Sequence, residues 1–329
     1  MTRSASRAAA AAVLLAIGVT GLVMSLPGRR NLVRADGRQS SRLHPAPVPF
    51  LIFRTLAPPE VHGHVAILPL AAPNASQQVS SLECGRLHYA GGRGVCLVQE
   101  LYGTVTRHAA YIFDRHLRRG PRIALPGVPT RVRVAPDGRR AAVTTYAEEE
   151  TPEGERLAID SIVVDLASGR VIADLRRFAI EDGQHLPLQG PIDVGSVTFE
   201  RDGDRFFAAL TTPAERYVAS GTISGRRMTA VRAGLVSEAL APDGRRLVVK
   251  KLGARGFWQL AVLDLETGTE RDLAQGARSV DDQVEWLDEQ HVLYHDVDQG
   301  HTSLWALPID GVTGPTLLVV DAYSGSVQR

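Results

Sequence analysis

The sequence predicts an all-β fold, a six-bladed β-propeller, preceded by a single N-terminal hydrophobic helix. Three observations carry that expectation. Asp-Gly turns recur with matching flanks in Pro136-Asp137-Gly138-Arg139-Arg140, Arg201-Asp202-Gly203-Asp204-Arg205 and Pro242-Asp243-Gly244-Arg245-Arg246, each followed by an apolar run. A degenerate fourth copy, Leu287-Asp288-Glu289-Gln290-His291, keeps the polar turn without the glycine. The four aspartates lie 65, 41 and 45 residues apart, and about 40 to 45 residues make one four-stranded blade. Asp-Gly between apolar runs signals a hairpin, because the turn needs a positive φ that Gly and Asp adopt at least cost. Between these turns falls a second marker, an apolar strand ending in Asp and a Ser/Thr-Gly turn, as in Ile162 to Arg170 and Ala261 to Thr269. Lastly, 3.6-residue periodicity is absent after residue 30, while β-branched runs bounded by Gly, Pro and Asp are frequent.

Taken in order, the chain divides into a leader over residues 1–27, a basic Pro-containing linker over 28–47 and a propeller over 48–329. Ala8 through Leu26 is uncharged and long enough to cross a hydrocarbon core as a helix. It exceeds the apolar stretch of a cleavable signal and no Ala-x-Ala follows, so an uncleaved membrane anchor is preferred to a removed export signal. Arg3 and Arg7 before the segment, against Arg29, Arg30, Arg34, Arg38 and Arg42 after it, would favour a cytoplasmic propeller. The short basic head and the size of the domain argue the other way, and an extracytoplasmic placement is expected.

Within the propeller, outer hairpins are predicted at Leu70, Asp114, Asp165, Gly221, Asp264 and Asp310, which sets the blade count at six. Inner hairpins are predicted near residues 82–98, 131–146, 194–211, 237–250 and 284–296. The sixth is expected from Val48 to Leu56, or in rudimentary form. Two polar insertions, Glu148 to Glu155 and Glu181 to His185, account for the one long interval and read as loops.

Charge excludes one class of function. Beyond residue 42 there are 30 basic and 35 acidic side chains, a balance that leaves no footprint for nucleic acid. Cys84 and Cys96 are the only cysteines. They fit either a disulfide across one inner hairpin, suited to an oxidising compartment, or two small buried hydrophobes. A turn centred on Gly92 would not set them opposite each other, so a disulfide requires a bulge or another turn.

The Pro-Asp-Gly-Arg-Arg hairpins, the Asp-Leu-x-Ser/Thr-Gly turns at 165–169 and 264–268, and the leader resemble TolB-like propellers, more closely the membrane-anchored TolB-like proteins of actinobacteria. The segments Cys84 to Cys96 and Arg278 to Leu287 are similar to ones found there. The resemblance covers nearly all of the chain after residue 60. It implies an extracytoplasmic binding propeller and supplies no catalytic residues. The separate N-terminal α/β domain of TolB is not part of it, so a TolB-like role in translocation is not expected.

No catalytic set emerges from the residues themselves. No Gly-x-Ser-x-Gly elbow occurs. His291 and His295 lie on a predicted strand, where four residues span about 13 Å and cannot share an ion. His62-Gly63-His64 reads as a solvated pair. Asp281 and Asp282, with Glu285, form the one acidic cluster to consider: sister repeats show Thr130-Arg131, Gly195-Ser196 and Val236-Ser237 at similar places. Such carboxylates at a channel mouth could orient a ligand or hold calcium, and the bland reading is a loop pair capping an inner strand. Trp258, Trp286 and Trp305 read as blade packing. The expected function is a binding or scaffold module for a protein or peptide at the ring face, held to the membrane through residues 8–26. The alternative is a propeller hydrolase or lactonase-like enzyme that uses channel carboxylates with calcium.

Overall fold

A computed structural model describes residues 48–329, apart from 73–75, 152–153, 182, 184–187 and 277. The expected leader, linker and membrane helix therefore lie outside the described residues. Among the described residues, twenty-five strands form six sheets. The first three are β1 (Phe50–Thr55), β2 (His64–Pro69) and β3 (Gln78–Glu83). The second blade is β4 (Arg86–Ala90), β5 (Arg93–Tyr102), β6 (Val105–Asp114) and β7 (Arg119–Leu125). The third is β8 (Val128–Val134), β9 (Arg140–Thr151), β10 (Gly154–Asp165) and β11 (Val171–Asp174). After β12 (Ala179–Glu181) comes the fourth, β13 (Asp193–Phe199), β14 (Arg205–Thr211), β15 (Arg216–Thr222) and β16 (Arg227–Ala233). The fifth is β17 (Val236–Leu240), β18 (Arg246–Leu252), β19 (Trp258–Asp264) and β20 (Glu270–Asp272). The sixth is β21 (Glu285–Trp286), β22 (His291–Asp298), β23 (His301–Pro308) and β24 (Thr316–Val319), and β25 (Ala322–Gln328) follows.

The ring closes through β25. It pairs antiparallel with β1, Leu51 opposite Val327 and Thr55 opposite Ala322, and becomes the innermost strand of the first blade. The segment from Val48 thus supplies only the second strand of that blade, and the expected sixth inner hairpin is built from the two distant parts of the chain. The insertion at 148–155 is not a loop either: β9 and β10 stay paired from Arg140 with Asp165 out to Thr151 with Gly154 and project beyond the ring. Leading into the second insertion and ending at its first residue, Glu181, β12 adds a parallel fifth strand outside β16.

The repeated aspartates explain the repeat. Asp137, Asp202, Asp243 and Asp288 each accept the backbone N–H two residues on, at 2.9, 2.9, 2.8 and 2.7 Å, and so close the turn between the first and second strands of their blades. Gly138, Gly203 and Gly244 take φ of +69°, +65° and +73° in those turns. Because strands alternate in direction, all these turns lie on one face of the ring, the turn face. The connections between second and third strands lie on the opposite, loop face. Cores form between the blades, with fully buried Trp286, Tyr217, Phe206 and Phe53 among their largest members.

Candidate functional site

The channel is lined by β4, β8, β13, β17, β21 and β25, the first strand of each blade. These strands, with Gln283 just ahead of β21, carry polar residues at alternate positions, where a buried sheet would carry apolar ones: Arg86 and His88, Arg131 and Arg133, Ser196 and Thr198, Gln283 and Glu285, Ser324 and Ser326. Period-two alternation turns every second side chain into the channel. Bulges between Pro129 and Arg131, Gly195 and Thr198, and Ser237 and Ala239 break the register near the loop-face ends, a device that re-aims side chains. Neighbouring inner strands are stitched together by side chains. Ser324 and Ser326 accept the N–H groups of Leu87 and Tyr89 at 3.0 and 3.1 Å, and Thr198 accepts that of Leu240 at 3.1 Å.

Two ionic layers fill the channel. In the layer toward the loop face, Arg86 forks onto Asp282 with Nη1–Oδ1 of 2.7 Å and Nη2–Oδ2 of 2.6 Å, while Tyr323 donates its hydroxyl to Oδ2 at 2.8 Å. His295 Nε2 lies 3.3 Å from the same oxygen. This cluster joins the sixth, first and second blades across the ring closure. Beside it, Lys250 Nζ is 3.1 Å from Glu238 Oε1 and donates to the Asp282 carbonyl. Arg131 donates to the Asp281 carbonyl at 3.2 Å and stands 3.5 Å from Glu238 Oε1. In the deeper layer Arg133 pairs with Glu285, which also meets His88 Nε2 at 2.8 Å. Arg133 Nη2 donates to the carbonyls of Val284 at 2.7 Å and Glu238 at 3.1 Å.

Burial and pairing oppose each other throughout. Burial alone would raise the Asp282 carboxyl, but Arg86 outweighs it and holds the group well below the usual carboxylate range. Glu285 is likewise kept at about 2, chiefly by Arg133 and the His88 hydrogen bond against the cost of burial. Burial pushes Lys250 down to about 8 despite Glu238, and it lowers His88 and His295 as well. A buried ion pair returns little net stability against an apolar replacement, yet losing one partner is expensive because the other charge is left unmatched.

The channel opens at both ends. At the turn face a cavity of about 520 Å³ is framed by Pro136, Pro242 and Gly244 and floored by Arg133 and Glu285. At the loop face a cavity of about 690 Å³ is lined by Arg86, Arg131, Arg216 and Lys250 against Asp193, Glu238, Asp281 and Asp282, with Tyr146, Ile159 and Trp258 on its walls.

Of the residues singled out in the sequence, Asp281 is exposed at this loop mouth, Asp282 is mostly buried just inside it, and Glu285 is buried in the deeper layer. The structure therefore spreads the acidic cluster along the channel instead of gathering it at one point. Calcium does not fit these donors. Both Asp282 oxygens are taken by Arg86 and Tyr323, and Glu285 is taken by Arg133 and His88, whereas calcium needs six to eight free oxygen ligands. Among the described residues no group of three or more His, Cys, Asp or Glu side chains is arranged for a metal.

Cys84 and Cys96 form a disulfide with Cα atoms 5.3 Å apart. The register difficulty is met by a bend: Cys84 and Gly85 lie between β3 and β4, and Gly85 N–H bonds to Leu97 O at 2.8 Å. His62 and His64 turn apart, one onto Leu56 O and the other onto Ser80 O, each at 2.8 Å. Trp286 is fully buried and donates to Ala239 O at 2.9 Å, a packing role. Trp258 lines the loop mouth, with Arg216 5.2 Å from its ring centre. Arg86, His88, Arg131, Arg133, Glu238 and Lys250 were not anticipated as channel residues. The signal that marks most of them is the polar-x-polar pattern of the inner strands, repeated at blade spacing.

No family model matches the sequence, and no curated protein matches it. Solved structures do. TolB from Acinetobacter baumannii aligns with a TM-score of 0.59 at 14% identity, over 85% of this chain and 67% of that one. A nidogen/laminin complex gives 0.51 at 12% identity, over 85% of this chain and 97% of that one. A puromycin-hydrolyzing peptidase from Mycobacterium tuberculosis gives 0.50 at 15% identity, over 79% of this chain and 42% of that one. Likeness at such identities is likeness of fold. In fold, this chain is a six-bladed β-propeller similar to TolB.

Proposed function

We propose that the chain is an extracytoplasmic, membrane-tethered propeller that serves as a binding or scaffold module and takes a protein or peptide partner at its loop face. The observation that carries this reading is where the exposed apolar side chains fall. Among the described residues thirteen large hydrophobics are exposed, and eight of them, Leu101, Tyr102, Val105, Leu157, Ile159, Leu252, Phe257 and Val297, sit where second and third strands meet on the loop face. Leu101 is 73% exposed and Val297 63%. Scattered apolar residues are normal on a surface, but a collection at one end of a molecule is characteristic of an interaction site. The turn face, by contrast, presents Asp-capped turns and arginines with three exposed apolar residues, Val171, Ile172 and Val312.

The channel chemistry favours binding over hydrolysis. A general base or nucleophilic carboxylate must be free to meet substrate, and Asp282, Glu238 and Glu285 all face cations within 3.1 Å. Tethering rests on the uncharged run from Ala8 to Leu26. The extracytoplasmic placement rests on that run and on the disulfide, which persists in oxidising compartments. That a propeller of similar fold was solved as a nidogen/laminin complex agrees with a protein-binding role.

The test is co-isolation of the full-length chain with bound proteins from detergent-solubilised membranes. A Leu101→Glu/Phe257→Glu variant is expected to lose a partner that a Val312→Glu variant on the turn face retains. If the loop-face variant, folded as the parent, keeps every partner, the reading fails.

A further inference from the structure

We infer that the turn face of the second and third blades rests on an anionic lipid surface and so holds the ring with its loop face turned away from the membrane. This rests on the tethering in the reading above and adds the chemistry of the surface that the tethered ring meets.

The path of the chain sets the side. Phe50 opens β1, the second strand of its blade, opposite Gln328 at the end of β25, and second strands begin on the turn face. The part of the chain that carries the uncharged run from Ala8 to Leu26 therefore joins the ring at the turn face. A membrane that holds that run is brought to this face first.

Charge then selects the blades. The turn-face connections of blades two and three, at 115–118, 135–139 and 166–170, contain Arg115, Arg118, Arg139 and Arg170 against one acid, Asp137. Those of blades five and six, at 241–245, 265–269, 287–290 and 309–315, contain Arg245 alone against Asp243, Glu266, Asp288, Glu289 and Asp310. The turn face is thus divided across the channel into a basic and an acidic side. A ring that leans on blades two and three lifts the acidic side away from lipid.

On the basic side the carboxylates are spent on the fold. Asp137 accepts the N–H of Arg139 at 2.9 Å, Asp114 those of His116 and Arg118 at 2.8 and 3.0 Å, and Asp165 that of Ser168 at 2.7 Å. Arg115, Arg139 and Arg170 are exposed and, among the described residues, meet no carboxylate within 4.0 Å. Directly after Arg170 stand Val171 and Ile172, 49% and 37% exposed at the start of the outermost strand β11. Free cations beside exposed apolar side chains suit an anionic headgroup layer, which attracts the first and takes up the second.

For the test, the full-length protein is reconstituted into vesicles of phosphatidylcholine, alone or with an equal part of phosphatidylglycerol, each carrying a headgroup nitroxide. A fluorescent label is attached at Ala167→Cys on the basic side or at Thr104→Cys on the loop face; both positions are exposed, and the native cysteines are joined to each other. The label at 167 should be quenched in anionic vesicles and not in neutral ones, and the label at 104 in neither. Arg139→Gln/Arg170→Gln should lower the ratio of docked to undocked ring about thirtyfold, about fivefold for each arginine. Molar salt, which cuts the Debye length to about 3 Å, should release the parent in the same way. Flotation keeps the tether separate: a chain that does not float with neutral vesicles is not anchored, and its recovery with anionic vesicles, lost in the double variant, then reads the basic side alone. Equal quenching at the two positions, quenching at 167 that ignores lipid charge, salt or the double variant, flotation with neither vesicle, or a crosslink between two copies at 167 in place of quenching would overturn the inference.

Discussion

Replacing Asp282 by Asn asks whether the ionic cluster at the ring closure holds the blades together. The side chain is 19% exposed and its partner Arg86 14%, so the pair is largely shielded from solvent. Asn keeps the shape and one acceptor but removes the charge that Arg86 meets at 2.6 and 2.7 Å. A buried charge that loses its partner costs about 3–5 kcal/mol. For a propeller of this size an unfolding entropy near 2.1 cal/mol/K per residue converts that into a fall in melting temperature of about 5–8 °C. Asp281→Asn, one residue away and exposed, should change stability by less than about 0.5 kcal/mol. Differential scanning calorimetry of the two variants makes the comparison. In a cycle with Arg86→Gln, the second substitution should cost much less once the first is present. If Asp282→Asn melts within a degree of the parent, the cluster does not secure the closure, and the neighbouring Asp281 control would leave no folding explanation for the result.

Three further outcomes follow from particular contacts. The Cys84–Cys96 bond spans 12 residues, so reduction should lower stability by about 2–3 kcal/mol on the loop-entropy account, and mass analysis of exported protein should show both thiols alkylated only after reduction; two free thiols would remove the oxidising-compartment argument. Asp160 is pushed up to about 7, first by burial and then by Asp174, so the native state holds this proton longer than the unfolded chain does and stability falls as pH rises from about 4 to 7. Asp160→Asn should therefore raise the melting temperature at pH 8, with the difference closing toward pH 4; a constant difference across that range would show that titration is not its cause. Gly94 lies against the ring of Phe113, and a Cβ there would fall 2.0 Å from it. That ring stacks on Tyr89 at 5.8 Å, so Gly94→Ala should cost about 1–3 kcal/mol, and an unchanged denaturant midpoint would show that the ring gives way freely.

Much of the architecture can be read in the sequence because the blade turns use side-chain chemistry that is local. An aspartate capping the N–H two residues on is visible in a four-residue window, and its recurrence counts the blades. The closure is not local. Ala322-Tyr323-Ser324-Gly325-Ser326-Val327-Gln328 contains Ser and Gly in place of a β-branched run, and its partner β1 lies at the other end of the propeller. The cysteine pairing was ambiguous for a related reason, since the bend at Cys84 and Gly85 that sets the two sulfurs together leaves no pattern of its own. The candidate site was partly visible. Asp281, Asp282 and Glu285 stand out by sequence, but their partners Arg86, Arg133, Arg131 and Lys250 come from other blades, and only the ring brings them together. Arginine is so frequent in this chain that Arg86, Arg131 and Arg133 carry no signal singly. Placement on alternate residues of inner strands is what distinguishes the three arginines, whereas Lys250 lies on the second strand β18.

Whether a partner binds at the loop face can be read by photocrosslinking in intact cells. A photoreactive amino acid is placed in turn at Leu101, Leu157, Phe257 and Val297 on the loop face and at Arg139, Arg245 and Val312 on the turn face. A partner seated on the loop face should give a discrete adduct of one size from the loop-face positions and none from the turn-face positions. Adducts confined to the turn face, or equally distributed between the faces, would contradict it.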